Sequence, residues 1–255
     1  MTLWLVTGGA GFIGSHLVEA LVARGERARV LDDFSTGRWE NLAAVTGQVE
    51  VIEGDVRDRA AAARAVDGVE VVIHLAAIPS VQASVEDPQR VMAVNCTGTL
   101  NLLEAARAAG VRRFVFASSA AVYGDQTDLP LREDLPPDPL SPYAASKAAG
   151  EALCRAYFAS YGLPTVVLRF FNVYGPRQDP RSPYSGVISI FVERMRQGLP
   201  PVIYGDGEQT RDFVYVGDVV EAVVRAAERE EAVGEVFNIA GGRQTSVLEL
   251  VKVLN

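Results

Sequence analysis

The sequence predicts an α/β fold built on a doubly wound parallel sheet. Three observations carry this. The apolar run Leu3 to Val6 breaks into Thr7-Gly8-Gly9-Ala10-Gly11-Phe12-Ile13-Gly14, and an amphipathic run continues to Ala23, so the chain opens as strand, tight turn, helix. Strand-like and helix-like stretches then alternate as far as residue 117. Val69 to Leu75 is almost continuously apolar, as a parallel strand covered on both faces should be. The chain has 255 residues, 49% of them hydrophobic, enough for one large domain or one domain with a small appendage.

The opening turn carries the first chemical signal. Gly8, Gly11 and Gly14 let the backbone turn sharply, approach a pyrophosphate closely and pack the helix on the strand. The free N–H groups at the helix start then face that anion. An acidic residue some 20 positions on completes a dinucleotide-binding fingerprint, where a bare glycine pattern would be a turn without a ligand.

Ala28 to Leu31 is the second strand and ends at Asp32-Asp33. A carboxylate there bonds the adenosine ribose hydroxyls and repels a 2′-phosphate, which favours NAD over NADP; otherwise it is a solvated loop residue. Ser35-Thr36-Gly37 forms a turn beside the ribose, and nearby Arg38 is the one feature that would suit NADP. Val49 to Glu53 is the third strand, followed by Gly54-Asp55-Val56, where Asp55 can bond the adenine amino group. Arg57 to Val66 reads as a helix. The fourth strand ends in His74-Leu75-Ala76-Ala77, whose small residues leave room for the cofactor; His74 reads as a packed strand-end residue and His16 as structural.

Pro88 to Ala109 reads as one long helix closed by Gly110. Asn95 within it either bonds backbone across the core or reaches toward the nicotinamide. Arg113 to Ala117 is the next strand and ends in Ser118-Ser119. Gly8, Asp32, Asp55, Ala76 and Ser119 thus all fall at strand C-termini, where open α/β sheets bind ligands.

A Pro-rich turn, Asp138 to Pro142, precedes Tyr143-Ala144-Ala145-Ser146-Lys147, which opens a helix to about Tyr161. Residues four apart share a helix face, so Tyr143 and Lys147 point the same way. An ammonium beside a phenol stabilises the phenolate, giving a base for an alcohol proton, and Ser119 can bond the same alcohol. The alternative is a surface Tyr and a snorkelling Lys.

Net charge is −8 and the pI about 4.9, so a broad basic footprint for nucleic acid is absent. Cys96 and Cys154 are the only cysteines, which excludes a disulfide framework, and two His and two Cys make no zinc site. No charged segment precedes a leader-like apolar stretch and no apolar run spans a membrane, so a soluble cytoplasmic protein is expected.

These motifs resemble those of extended short-chain dehydrogenases/reductases, in particular NAD-dependent nucleotide-sugar epimerases of the UDP-glucose 4-epimerase type. The resemblance runs along essentially the whole chain. It is carried by the glycine motif, by Ser118-Ser119-Ala120-Ala121-Val122-Tyr123-Gly124 and by Ser141-Pro142-Tyr143-Ala144-Ala145-Ser146-Lys147. Leu168-Arg169-Phe170-Phe171-Asn172-Val173-Tyr174-Gly175-Pro176-Arg177 and Arg211-Asp212-Phe213-Val214-Tyr215-Val216 add to it.

The resemblance implies a Rossmann domain over 1–171 and a small substrate lobe over 172–255 with strands returning to the main sheet. It implies Ser119, Tyr143 and Lys147 as the catalytic set. Phe12, Ile13, Asp33, Val56, Leu75, Asn95 and the Phe170-Phe171 backbone join the NAD shell, which also takes in Ala77, Ala117 and Ser118. A UDP-sugar shell comes from Asn172, Val187, Tyr204 and Arg211. Arg211 suits a diphosphate, or else an ion pair with Asp212 or Asp218; Tyr204 lies in the apolar strip Val202-Ile203-Tyr204-Gly205, which suits a uracil face. Pro79 and Val187 stand where many UDP-glucose epimerases carry Lys and Asn. A capping box, Ser246 to Glu249, starts a last helix that stops at Asn255, so relatives of this kind are expected to run on and the lobe to be incomplete. The resemblance also implies a homodimer through helices 88–109 and 143–161. The rival readings are a dehydratase or decarboxylase of the same fold, or a non-catalytic NAD sensor. The sensor should lack the Tyr/Lys pair. The rival enzymes need acid/base groups after Ser119, where this chain has Ala120-Ala121-Val122.

Overall fold

The computed structural model describes residues 1–180 and 186–255. Strands β1 (Leu3–Thr7), β2 (Arg27–Asp32), β3 (Glu50–Glu53) and β4 (Val71–His74) alternate with helices α1 (Phe12–Ala23) and α2 (Arg59–Val66). Helix α2 starts two residues later than the sequence suggests, because the Asp58 side chain accepts the Ala60 N–H and caps it there. Next come α3 (Val81–Glu86), α4 (Pro88–Met92), a π turn over Ala93–Thr97, α5 (Gly98–Ala109), β5 (Arg113–Ser119) and a 3₁₀ turn at Ala120–Tyr123. Helix α6 (Pro142–Tyr161) leads to β6 (Thr165–Phe170), β7 (Asn172–Tyr174), α7 (Val187–Arg196), β8 (Thr210–Tyr215) and α8 (Val216–Glu228). Strands β9 (Val236–Ile239) and β10 (Gln244–Ser246) precede the last helix, α9 (Val247–Leu254).

The main sheet is parallel with order β3-β2-β1-β4-β5-β6-β9. The strand order reverses between β1 and β4, which opens a crevice at their C-terminal ends. Trp4, Val6, Val71, Ile73, Val115 and Leu168 face a layer closed by α1 and α8. Leu5, Val72, Phe114, Phe116 and Val167 face the layer of α2, α5 and α6. Each such buried side chain contributes roughly 1.5–3 kcal/mol. Strand β9 pairs with β6, so part of the chain beyond residue 172 lies in the main sheet. A second sheet has the order β10-β8-β7, and α7 and α9 pack together through Phe191, Val247 and Leu250.

The long helix read over 88–109 is interrupted by a π turn at Ala93–Thr97, which contains Asn95. Such turns re-aim one residue out of helical register. No helix among the described residues is long and apolar enough to cross a membrane.

Candidate active site

At the crevice the glycines do distinct work. Gly8 has φ +69°, and a Cβ there would lie 2.9 Å from the Ala76 amide nitrogen. A Cβ on Gly14 would lie 2.2 Å from the Gly8 carbonyl oxygen, so only glycine lets α1 sit this close to β1. No side chain caps α1, and the amides of Phe12, Ile13 and Gly14 meet no acceptor among the described residues. Uncapped amides over a close-packed glycine cradle fit a dinucleotide pyrophosphate.

Asp32 is buried and accepts Ala10 N–H and Phe34 N–H, both at 2.9 Å. It is therefore not a solvated loop carboxylate. Burial raises its pKa above the usual carboxylate value, while the two amides oppose that shift. The strand end is shaped around it: Phe34 takes φ +54°, and a Cβ on Gly37 would lie 2.7 Å from Asp32 Oδ1. Asp33 accepts the Ser35 amide at 3.0 Å and the Ser35 hydroxyl at 2.6 Å. Arg38 is ion-paired with Asp179. Asp55 is bound by Arg57 through Nε at 2.8 Å and Nη2 at 2.5 Å, and that guanidinium lowers its pKa. Sequence reading missed Asn101, whose amide donates to the Val56 and Arg57 carbonyls at 3.1 and 2.9 Å and so fixes this loop.

His74 is a relay of structure. Thr99 donates its proton to the Asn95 carbonyl at 2.6 Å, so His74 Nε2–H must donate to Thr99 Oγ1 at 2.9 Å. Nδ1 is then the acceptor for Thr7 O–H at 2.8 Å, and Thr7 Oγ1 accepts the Ala76 amide at 3.2 Å. Burial of the ring pushes its pKa down to about 3. The Leu75 amide is likewise engaged, by the Thr7 carbonyl, so the Leu75 and Ala76 amides are both used within the fold.

The side chains expected to react come from two elements. The Ser141 hydroxyl accepts the Ala144 amide at 3.1 Å, and Pro142 occupies the first turn, which fixes where α6 begins. Tyr143 and Lys147 follow on one buried face, 8% and 5% exposed. Lys147 Nζ donates to the Ala117 carbonyl at 2.8 Å and lies 5.2 Å from the centre of the Phe116 ring. Burial pushes its pKa down to about 8. The expectation of a phenol tuned downward is corrected: burial raises the Tyr143 pKa, and the nearby Ser119 side chain, not the ammonium, opposes that shift. The structure thus places Ser119 near Tyr143, while Lys147 grips the end of β5 through the Ala117 carbonyl.

Three residues expected to face the cofactor are engaged elsewhere. Asn95 is buried, accepts the Ile78 amide at 2.8 Å, and donates to the Ile78 carbonyl at 3.2 Å and Ser146 Oγ at 2.9 Å. With both amide protons engaged, it bridges the core, the first of its two readings. Ser118 turns its hydroxyl to Glu151 at 2.5 Å, and the Phe171 amide is bonded to the Ile239 carbonyl at 3.0 Å.

Asn172, Val187 and Arg211 line one cleft of about 140 Å³ with Tyr174, Gln178 and Phe213. Asn172 is steered by its bond to the Asp212 carbonyl at 2.9 Å. Arg211 makes no ion pair with Asp212 or Asp218 among the described residues; Asp212 instead accepts the Gly241 and Gly242 amides at 2.6 and 2.8 Å. Tyr204 is outside this lining and 82% exposed, because the strip it lies in forms no strand. The described residues hold no cluster of metal-ligating side chains.

Residues 4–240 match the NAD dependent epimerase/dehydratase family. A putative UDP-glucose 4-epimerase of Methanocaldococcus jannaschii is 44% identical over 98% of this chain and 80% of its own length. A UDP-N-acetyl-alpha-D-glucosaminuronate decarboxylase of Bacillus cytotoxicus is 40% identical over 97% of this chain and 78% of its own. Among solved structures, the UDP-glucose 4-epimerase of Thermus thermophilus in complex with NAD superimposes with a TM-score of 0.91 at 45% identity. That match covers 99% of this chain and 82% of the other.

Proposed function

Because the chain belongs to the NAD dependent epimerase/dehydratase family, we propose that it interconverts the C4 epimers of a UDP-hexose. Bound NAD supplies the acceptance and return of the C4 hydride. The protein's part is to bind, orient and move one proton. Tyr143 Oη takes the 4-hydroxyl proton and later gives it back, and Ser119 Oγ bonds the same oxygen. Lys147 is held on the Ala117 carbonyl, on the same face of α6 as the phenol. Arg211 offers a guanidinium to the diphosphate and Asn172 lines the same cleft. Asp32 on the ribose and Arg38 tied to Asp179 favour NAD over NADP.

One observation carries epimerisation over the other reactions of the family. After Ser119 the chain has Ala120, Ala121 and Val122. The next residue, Tyr123, is fully buried and donates to Asn238 Oδ1 at 2.7 Å. None of these supplies the extra acid/base group that loss of water requires, so the ketone can only take hydride back on one face or the other. The decarboxylase relative keeps the rival reading in view. Incubation with UDP-galactose, followed by mass and sugar analysis, tests this. UDP-glucose of unchanged mass is expected, and loss of water or carbon dioxide from the sugar would refute it.

The partner in solution is proposed to be a second copy. Helices α4, α5 and α6 carry Met92, Leu100, Phe158 and Tyr161 exposed on their outer faces, which suits a four-helix interface. Light scattering at the monomer mass would refute it.

A further inference from the structure

Helix α6 bears a third polar group on the face of Tyr143 and Lys147. Glu151 lies four residues beyond Lys147 and its side chain is 9% exposed. Arg169 Nε meets its Oε1 at 2.9 Å and Arg169 Nη2 its Oε2 at 2.7 Å, a two-pronged clamp. Ser118 Oγ donates to the same Oε1 at 2.5 Å.

The cluster runs across three strands. Ser118 and Arg169 are register partners on β5 and β6, and Arg169 and Asn238 on β6 and β9. The Arg169 guanidinium lies 4.6 Å from the centre of the Tyr123 ring, and Tyr123 is itself bonded to Asn238. Close by, α6 is pressed against β5: a Cβ on Gly150 would lie 2.3 Å from Phe116 Cζ. The end of β5 is therefore tied to α6 twice in succession, at Ala117 by Lys147 and at Ser118 by Glu151. The next residue is Ser119.

A buried ion pair is a poor way to gain stability, since apolar side chains of similar volume usually serve as well. Its strength is directional: it permits one rotation and one depth of the helix. We propose that Glu151 is a positioning residue, which, clamped by Arg169, sets the placement of α6 on β5 and with it the approach of Tyr143 to Ser119. This rests on the function proposed above.

The same carboxylate bears on Lys147. The groups facing that amine are Cys96 from the π turn, His74 from β4, Phe116 and the Ala117 carbonyl from β5, and Glu151 on α6 itself. Cys96 and Glu151 favour the charged amine, while burial opposes it. Loss of the Glu151 charge therefore lowers the pH at which Lys147 titrates.

The chain has only two lysines, Lys147 and Lys252, and Lys252 is exposed on α9. Lysine labelled with carbon-13 thus reports Lys147 by NMR titration of the whole protein, with Lys252 as internal reference. In Glu151→Gln we expect Lys147 to titrate at lower pH with Lys252 unmoved. We expect kcat to fall about ten- to a hundredfold and KM to stay within about twofold. Ser118→Ala keeps the charges and removes one tie, so a smaller loss of kcat with an unmoved Lys147 titration is expected. A Glu151→Gln protein that loses only thermal stability, with wild-type kcat and Lys147 titration, would overturn the proposal. Should that variant not fold, wild-type kcat in Ser118→Ala would overturn it. A wild-type protein that turns over no UDP-sugar would overturn the proposed function alone, and the lysine titration would still decide the role of Glu151.

Discussion

Lys147 is bonded through Nζ to the carbonyl of Ala117, not to the phenol of Tyr143 four residues before it. The side chain near Tyr143 is that of Ser119, while Lys147 ties α6 to the end of β5.

This separates the roles of the two side chains. Tyr143→Phe removes only the proton acceptor, so turnover should fall by about a hundredfold to ten-thousandfold. The variant should keep the secondary structure and NAD content of the parent. Circular dichroism and cofactor release check the second half; near-parental rates would dismiss Tyr143 as the base.

Gly14→Ala places a methyl group 2.2 Å from the Gly8 carbonyl oxygen, with backbone and no flexible side chain in its way. Helix α1 must move off β1. We expect a loss of about 1–3 kcal/mol of stability together with most of the NAD that copurifies. Denaturant melts and absorbance of the acid-released cofactor test both.

Asp32 should decide cofactor choice. Protein denatured after purification should release NAD(H), identified by mass. Asp32→Asn should bind NADP(H) better than the parent does, because like-charge repulsion is gone. It should also melt earlier, since one amide oxygen cannot replace two carboxylate oxygens on Ala10 and Phe34. Equal NADP(H) affinity in both proteins would count against the assignment.

His74 should make the fold acid-sensitive. Its pKa is about 3 in the folded chain against 6.5 for an ordinary histidine. The unfolded chain therefore binds the extra proton first, and stability is lost as pH falls below 6.5 toward 3. The size is on the order of a few kcal/mol. Protonation would also make Nδ1 a donor against Thr7, breaking the relay to Ala76. Urea melts across this range should show the parent losing stability more steeply than His74→Gln; parallel curves would refute it.

Much of this protein is determined by sequence periodicity and local spacing. The glycine turn, the strand ends and the Tyr143/Lys147 face need only neighbouring residues, because strand and helix periods and a tight turn are local properties. Ser119 was legible as a strand-end hydroxyl upstream of that face. What side chains do in the interior was decided by tertiary structure. Asn95 had two readings in sequence; the π turn and the Ile78 and Ser146 partners, 17 and 51 residues away, chose one. Tyr204 sat in a suitable apolar strip, yet no sheet forms there to turn it into the cleft. Glu151 lies at a visible four-residue step from Lys147, but its meaning depends on Arg169, 18 residues on, which strand pairing brings beside Ser118. Burial likewise reversed the expected shift at Tyr143, because the desolvation of a phenolate depends on everything packed around it and on no single neighbour in the chain.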